Sequence, residues 1–283
     1  MTLSRTTIND RIIIAVVVLI LFVSSMAVYY FFGQVANIIS IALALAILLL
    51  IVFDLYRRTS LTEDNRLEII KNEITSHAHQ VEALFSIHAF IKPVLPLPKT
   101  MGYAASPDFL SLVMEIIIRD EPDLVVEAGS GVSTLIAAYC FKRIGKGKII
   151  SLDHNEKYAL QTEALISSHG LESFAKIIYA PLVDVEINGT TWKWYDTSDI
   201  DIDKAINILV IDGPPRSTQS LARYPALPLF HDQLADGFRI LLDDAQRNDE
   251  QKIVARWRDE YPGLDYTYLE LQKGGVVLRD IRK

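Results

Sequence analysis

Apolar positions follow three different rhythms along this chain. Residues 12–32 run for 21 positions without a charge (IIIAVVVLILFVSSMAVYYFF), and residues 35–53 form a second uncharged stretch. At about 1.5 Å of helical rise per residue these reach about 31 and 28 Å, against a hydrocarbon core of about 30 Å. Gly33, Gln34 and Asn37 offer a turn between them. So short a connection predicts a transmembrane helical hairpin, because neither span can leave backbone groups unpaired in lipid. Arg5 and Arg11 precede the first span, Arg57 and Arg58 follow the second, and the turn has no basic residue. Both ends are therefore expected on the cytoplasmic side of the inner membrane, with the rest of the chain in the cytoplasm. A cleaved signal peptide would have a shorter apolar region and would not need a second span. A buried core hairpin would be apolar on one stripe, whereas residues 41–53 are apolar on every face.

The second rhythm begins at Leu67. Steps of three and four join Leu67, Ile70, Ile74, His77, Val81, Leu84, His88 and Ile91, a heptad seam broken at two histidines. Two readings follow: a short coiled coil that pairs two chains as a homodimer, or an amphipathic helix packed on its own domain. Phe85, Ile87 and Phe90 widen the apolar face and favour the second. Pro93, Pro96 and Pro98 then end the helix. The expected organisation is an anchor over 1–60, a connecting helix and Pro-rich boundary over 61–100, and a globular domain over 101–283.

The third rhythm alternates short apolar strands with helices. Strands are predicted over 123–128, 148–153, 176–180, 207–212 and 238–244, with helices over 133–141, 156–168 and 251–261. Two more strands, 266–271 and 276–279, flank Lys273-Gly274-Gly275 as an edge hairpin, and Asn188-Gly189 marks a second hairpin over 183–195. The pattern predicts an α/β domain with a mostly parallel, Rossmann-like sheet covered on both faces.

Composition sharpens this division. Half of the 283 residues are hydrophobic, yet the formal net charge is −7. Outside residues 1–60 the chain carries 24 Lys+Arg against 33 Asp+Glu. So acidic a remainder lacks the basic face that a nucleic-acid binder needs. The single cysteine, Cys140, excludes an intrachain disulfide framework and a cysteine-rich zinc site.

Carboxylates stand where the predicted strands stop: Glu127, Asp153, Asp212, Asp243 and Asp244. Ligands of open α/β sheets bind at those carboxyl ends. After the first strand comes a Gly-x-Gly turn, Gly129-Ser130-Gly131. A dinucleotide fingerprint would place a small residue, usually glycine, where Thr134 stands. Glu127 would also repel a pyrophosphate while accepting hydrogen bonds from an ammonium or a ribose. Asp153, about two dozen residues on, suits ribose hydroxyls. The combination points to a nucleoside without a pyrophosphate.

The motifs Glu-x-Gly-Ser-Gly-x-Ser-Thr (127–134), Ser-Leu-Asp-His (151–154), Ile-Asp-Gly-Pro-Pro (211–215), Arg-Tyr-Pro-Ala-Leu-Pro (223–228) and Leu-Asp-Asp-Ala-Gln-Arg (242–247) together resemble the class I S-adenosylmethionine-dependent methyltransferases, in a bacterial O-methyltransferase-like branch. The resemblance covers about residues 96–278 and implies a seven-stranded sheet. It implies S-adenosylmethionine on Glu127, Gly129, Ser130, Gly131, Ser133 and Thr134 for the methionine part, and on Asp153 with His154 for the ribose, with Asp212 beside the cofactor. The catechol-type relatives place a divalent cation on an aspartate ending the fourth strand and an Asp-Asn pair ending the fifth, which implies Mg²⁺ or Mn²⁺ on Asp212, Asp243 and Asp244. Hard carboxylate oxygens suit such ions. The chain departs from that pattern with Asp244 in place of Asn, and with no lysine shortly after Asp212. Arg216 is nearby, but a guanidinium cannot act as a base.

Catalytic roles are thus expected at Asp212, Asp243 and Arg216. Arg216, Arg223 and Arg247 either recognise an acceptor anion or pair with the aspartates. His231-Asp232 resembles a catalytic dyad but is expected at a solvent-facing helix. Trp192, Trp194 and Tyr195 either stack on a sugar or pack against the domain. The expected activity is O-methylation of a small-molecule or glycan acceptor beside the lipid bilayer. A non-catalytic membrane scaffold and an NAD-dependent oxidoreductase are the alternatives.

Overall fold

The structure, a computed structural model, describes residues 5–100, 104–198 and 200–281, with side chains at 5–14, 37 and 58–65 excepted. The side chains of Arg5, Arg11, Asn37 and Arg58, invoked above for orientation and turn, lie outside the described residues. The chain divides into two compact units, Met1–Ile74 and Thr75–Lys283.

Helix α1 (Arg5–Ile91) is interrupted at Gly33, whose φ of 80° and ψ of −175° are not helical. The reversal is tighter than expected: Gln34 and Asn37 are already helical. Two segments, Ala15–Ala36 and Ile38–Arg57, are long and apolar enough to cross a membrane. Residues between 18 and 29 and between 41 and 48 line one apolar cavity of about 550 Å³, so the two segments lie side by side. Neither is buried within the protein.

In the second unit, the end of α1 packs on its own domain. Gln80, Ile87 and Ile91 are buried, whereas Val81 and Phe85 are exposed. The buried face is thus offset from the expected seam, of which Ile91 is buried while His77, Val81 and His88 are exposed. Helix α2 (Pro107–Asp120), which the strand-and-helix reading overlooked, buries Phe109, Leu110, Val113, Met114 and Ile117 at helical spacing. It is followed by β1 (Leu124–Ala128), α3 (Val132–Ile144), β2 (Lys148–Asp153), α4 (Glu156–Ser168) and β3 (Ala175–Tyr179). A separate antiparallel pair, β4 (Leu182–Ile187) and β5 (Thr190–Tyr195), turns through Asn188 and Gly189, both at positive φ as a type I′ hairpin requires. The chain then runs through β6 (Ile206–Ile211), α5 (Ala226–Phe230), β7 (Leu234–Asp243), α6 (Asn248–Glu260), β8 (Leu264–Leu269) and β9 (Gly275–Asp280).

The seven-stranded sheet has the order β3-β2-β1-β6-β7-β9-β8. All neighbours are parallel except those of β9, which is antiparallel to both β7 and β8. The C-terminal hairpin stands at the sheet edge as expected, with β9 next to β7 and β8 outermost. Strand β7 starts earlier than its apolar run. Leu234 pairs with Ile206, and the residues up to Arg239 loop out through Gly237 at φ 71° before regular pairing resumes.

Alternation along β1 sends Leu124, Val126 and Ala128 into one buried cluster and Val125 into the other, so both sheet faces are covered. The order reverses between β1 and β6, which places a switch point there.

Asp108 ties α1 and the strand-end turns together. Its Oδ2 accepts from Gln80 Nε2 (2.8 Å) and from the Gln272 amide (2.6 Å), and Oδ1 accepts from the Phe109 amide (2.9 Å). Asp108→Ala should cost about 1.5–3 kcal/mol, the worth of hydrogen bonds to a charged acceptor. A thermal melt should show this as a fall on the order of 5 °C, with Asp108→Asn losing less.

Candidate cofactor and metal site

The site grows out of the way four strand ends are stitched together. Ala128 O, at the end of β1, accepts from the amides of Asp212 (3.0 Å) and Gly213 (2.7 Å), and the Gly129 amide donates to Leu152 O (2.9 Å). Gly129 has φ +102°, and a Cβ there would meet Gly213 N at 3.2 Å. Only glycine lets the two turns approach so closely at that φ.

Glu127 lies beneath the glycine loop, fully buried. Its Oε2 accepts from Ser151 Oγ (2.5 Å) and Thr134 Oγ1 (2.6 Å), and Thr134 Oγ1 in turn accepts from the Gly131 amide (3.0 Å). Thr134 is thus a strut between carboxylate and loop. Burial raises the Glu127 pKa, against the hydroxyls of Ser133, Ser151 and Thr134, which lower it. Its Oε1 has no partner among the described residues.

Asp153 ends β2. Oδ2 accepts from Ser130 Oγ (2.7 Å), which also meets Thr162 Oγ1 (3.0 Å), and Oδ1 accepts from the Asn155 amide (2.9 Å). His154 Nδ1 stands 3.8 Å from Asp153 Oδ1. A cavity of about 560 Å³ brings together Ser130, Gly131, Ser133, Asp153 and Asp212. Its far wall is one face of α4, through Tyr158, Gln161, Thr162 and Leu165. Sequence reasoning missed these four, although steps of three and four after Asp153 carry that signal. It also missed Lys99 on the Pro-rich connector, which lines the same cavity and has no signal in spacing.

Asp212, Asp243 and Asp244 converge, with one oxygen of each within 4.8 Å of the others. Arg223 is buried among them. Its Nη2 donates to Asp212 O (2.6 Å) and Asp244 Oδ2 (2.8 Å) and lies 3.3 Å from Asp212 Oδ1, while Nη1 donates to Asp243 O (2.8 Å). Arg247 Nη1 meets Asp244 Oδ2 at 2.7 Å and Glu250 Oε1 at 3.7 Å. Both arginines are committed to the aspartates, and Arg223 is too buried to reach an acceptor. The cluster sets four carboxylates, including Glu250, against two guanidiniums. Asp243 Oδ2 is buried and has no partner among the described residues. Burial, with Asp212 and Asp244 beside it, raises the Asp243 pKa to about 8. Burial also raises Asp212 to about 6, against the pull of Arg223.

The remaining candidates fall elsewhere. Arg216 is exposed in the turn after β6 and outside the cluster. Trp192, Trp194 and Tyr195 are buried in the core, with Trp192 4.7 Å from Tyr224, so the sugar-stacking reading is replaced by packing. His231 leans on Tyr261 at 4.8 Å, and Asp232 is wholly exposed. That pair precedes β7, at the end of the strand opposite Asp243.

Residues 126–245 match the family model described as a methyltransferase domain. The chain carries a methyltransferase domain. Among solved structures it is similar to the SAH-bound methyltransferase PaMTH1 of Podospora anserina, at 16% identity and a TM-score of 0.52, covering 74% of this chain and 95% of that one. That likeness shows the class I fold. An O-methyltransferase from Bacillus cereus in complex with SAH aligns at 15% identity and a TM-score of 0.47, over 72% of this chain and 91% of that one. No curated protein matches the sequence.

The methyltransferase domain makes a pH prediction. A raised carboxyl pKa means the folded protein holds its proton more tightly than the unfolded chain does. That stability is fully present below the ordinary value of about 4 and is lost as pH rises through about 8 for Asp243. Melts of chelated protein should show stability falling between about pH 4 and 8. Asp243→Asn, which cannot ionise, should flatten that fall; an unchanged profile would exclude Asp243 as its source.

Proposed function

We propose that this chain is a membrane-anchored, S-adenosylmethionine-dependent O-methyltransferase, acting on a hydroxyl of a saccharide or lipid-linked glycan at the cytoplasmic face of the inner membrane. The observation that carries the reading is the single cavity uniting the glycine loop, Asp153 and Asp212. The residues fit the cofactor. Asp153 offers acceptors for ribose hydroxyls, with Ser130 and His154 beside it. Gly129, Gly131, Ser133 and Thr134 leave backbone close to the methionine part, above the unpartnered Glu127 Oε1. When bound, S-adenosylmethionine supplies an electrophilic sulfonium methyl. The carboxylates of Asp153 and Asp212 favour that positive charge in a partly enclosed site.

The donor set also fits a hard divalent cation. Asp243 Oδ2 is a buried acceptor with no partner among the described residues, in a cluster where two guanidiniums, and Lys273 at Asp212, oppose four carboxylates. Asp212, Asp243 and Asp244 would hold Mg²⁺ or Mn²⁺, which would make an acceptor hydroxyl more acidic. Arg223 keeps Asp212 and Asp244 oriented whether or not the ion is bound.

The acceptor class rests on the anchor. Two apolar segments at the N-terminus are long enough to span a bilayer, and an enzyme held there meets membrane-borne acceptors at high local concentration. Of Arg216, Arg223 and Arg247, exposed Arg216 is the one left for an acceptor anion. Homodimerisation belongs to the same reading, through Leu67, Ile70 and Ile74, which stay exposed.

Asp153→Ala should weaken cofactor binding by about 10- to 100-fold in calorimetry, the cost of losing hydrogen bonds to a charged acceptor. Wild-type protein that binds no S-adenosylmethionine would sink the reading. Labelled methyl from the cofactor should pass to a membrane-extract component. Binding without such transfer would instead favour the scaffold. If activity survives EDTA unchanged, the cation is removed from the proposal.

A further inference from the structure

The cavity has an unequal charge inventory. Two carboxylates face it, Asp153 and Asp212, and among the described lining residues Lys99 is the one cation. S-adenosylmethionine carries a sulfonium, an ammonium and a carboxylate. The first two are served by acidic walls, but the carboxylate is repelled by Asp153 and Asp212 and needs a positive partner.

Lys99 is exposed and pairs with no described carboxylate, so its charge is available. It is also held in place. The connector that carries it is fixed on one side by the Val94 amide donating to Tyr139 Oη (3.0 Å). On the other side, Lys273 Nζ donates to Ala104 O (2.8 Å). Pro98, beside Lys99 on the same wall, restricts its own backbone and that of Leu97. The first turn of α3, with Val132 and Ser133 on the wall, adds backbone dipoles of the same sign.

We propose that Lys99 binds the carboxylate of the cofactor's amino-acid part, which makes the Pro-rich connector a wall of the cofactor site and not only a spacer between anchor and enzyme. This rests on the cofactor reading above and adds a residue that neither the loop motif nor the strand-end carboxylates contain. Lys99 here is a binding residue and takes no part in bond making.

The test compares two ligands on the full-length protein: S-adenosylhomocysteine, and its decarboxylated analogue, which keeps the adenosine, thioether and ammonium. Lys99→Ala should weaken S-adenosylhomocysteine about tenfold in calorimetry and leave the analogue unchanged, so that the preference for the carboxylate disappears. Lys99→Arg should restore most of it. Equal weakening of both ligands, or no change in either, overturns the assignment while the cofactor reading stands. Wild-type protein that binds neither ligand overturns both.

Discussion

Everything at the carboxyl edge of the sheet depends on one buried guanidinium. Arg223 donates to the backbone oxygens that begin the turn after β6 and end β7, and to the carboxylates of Asp212 and Asp244. A buried charge is tolerated only when paired and hydrogen-bonded. Here the pairing is with the very acids that line the site. Removing Arg223 would leave neighbouring carboxylates to repel one another in a dry environment, and would also free two strand-end carbonyls. Substrate chemistry and fold stability therefore share the same atoms.

The C-terminal hairpin is bonded into this edge. Strand β9 pairs Gly275 with Asp243, and the turn before it accepts from the next residues, Gly274 O from the Ala245 amide (3.1 Å) and Lys273 O from the Gln246 amide (3.2 Å). A Cβ on Gly274 would sit 2.7 Å from Gln246 N, at φ +71°. The turn can lie against the acidic loop only without a side chain there. Its lysine lowers the Asp212 pKa against burial, while the same side chain holds the connector through Ala104. One turn thus braces the acidic cluster and the wall carrying Lys99.

Much of this was legible in the sequence where local rules act alone. Strand lengths, the Asn188-Gly189 turn and the position of every strand-end carboxylate follow from periodicity and from residues that stop strands. What escaped depends on distant partners. Strand β7 begins at Leu234 because it pairs with Ile206, a contact that Ala235, Asp236 and Gly237 hide behind turn chemistry. The placement of β9 between β7 and β8 is set by pairing with both strands, not by its own six residues. Arg223 and Arg247 were read as either acceptor-binding or aspartate-pairing, and only burial decides between those roles. Trp194 and Tyr195 likewise carry side chains suited to a sugar, yet complete burial assigns them to the core.

The electrostatic character of the site follows from which acids are neutralised. Asp244 and Glu250 are matched by arginines, and burial pushes Asp243 toward its neutral form. Asp153 and Asp212 stand on the cavity wall, Asp212 with Arg223 Nη2 3.3 Å behind it. A diphosphate brought there would meet those two carboxylates, with Glu127 behind the loop, and would find Lys99 as the one facing cation among the described residues. A ligand positive at its centre and negative at one end meets the opposite arrangement, acids along the wall and a lysine at the connector. The charge pattern therefore discriminates by sign within one cavity, which is why the same sheet that serves dinucleotides elsewhere suits a sulfonium nucleoside here.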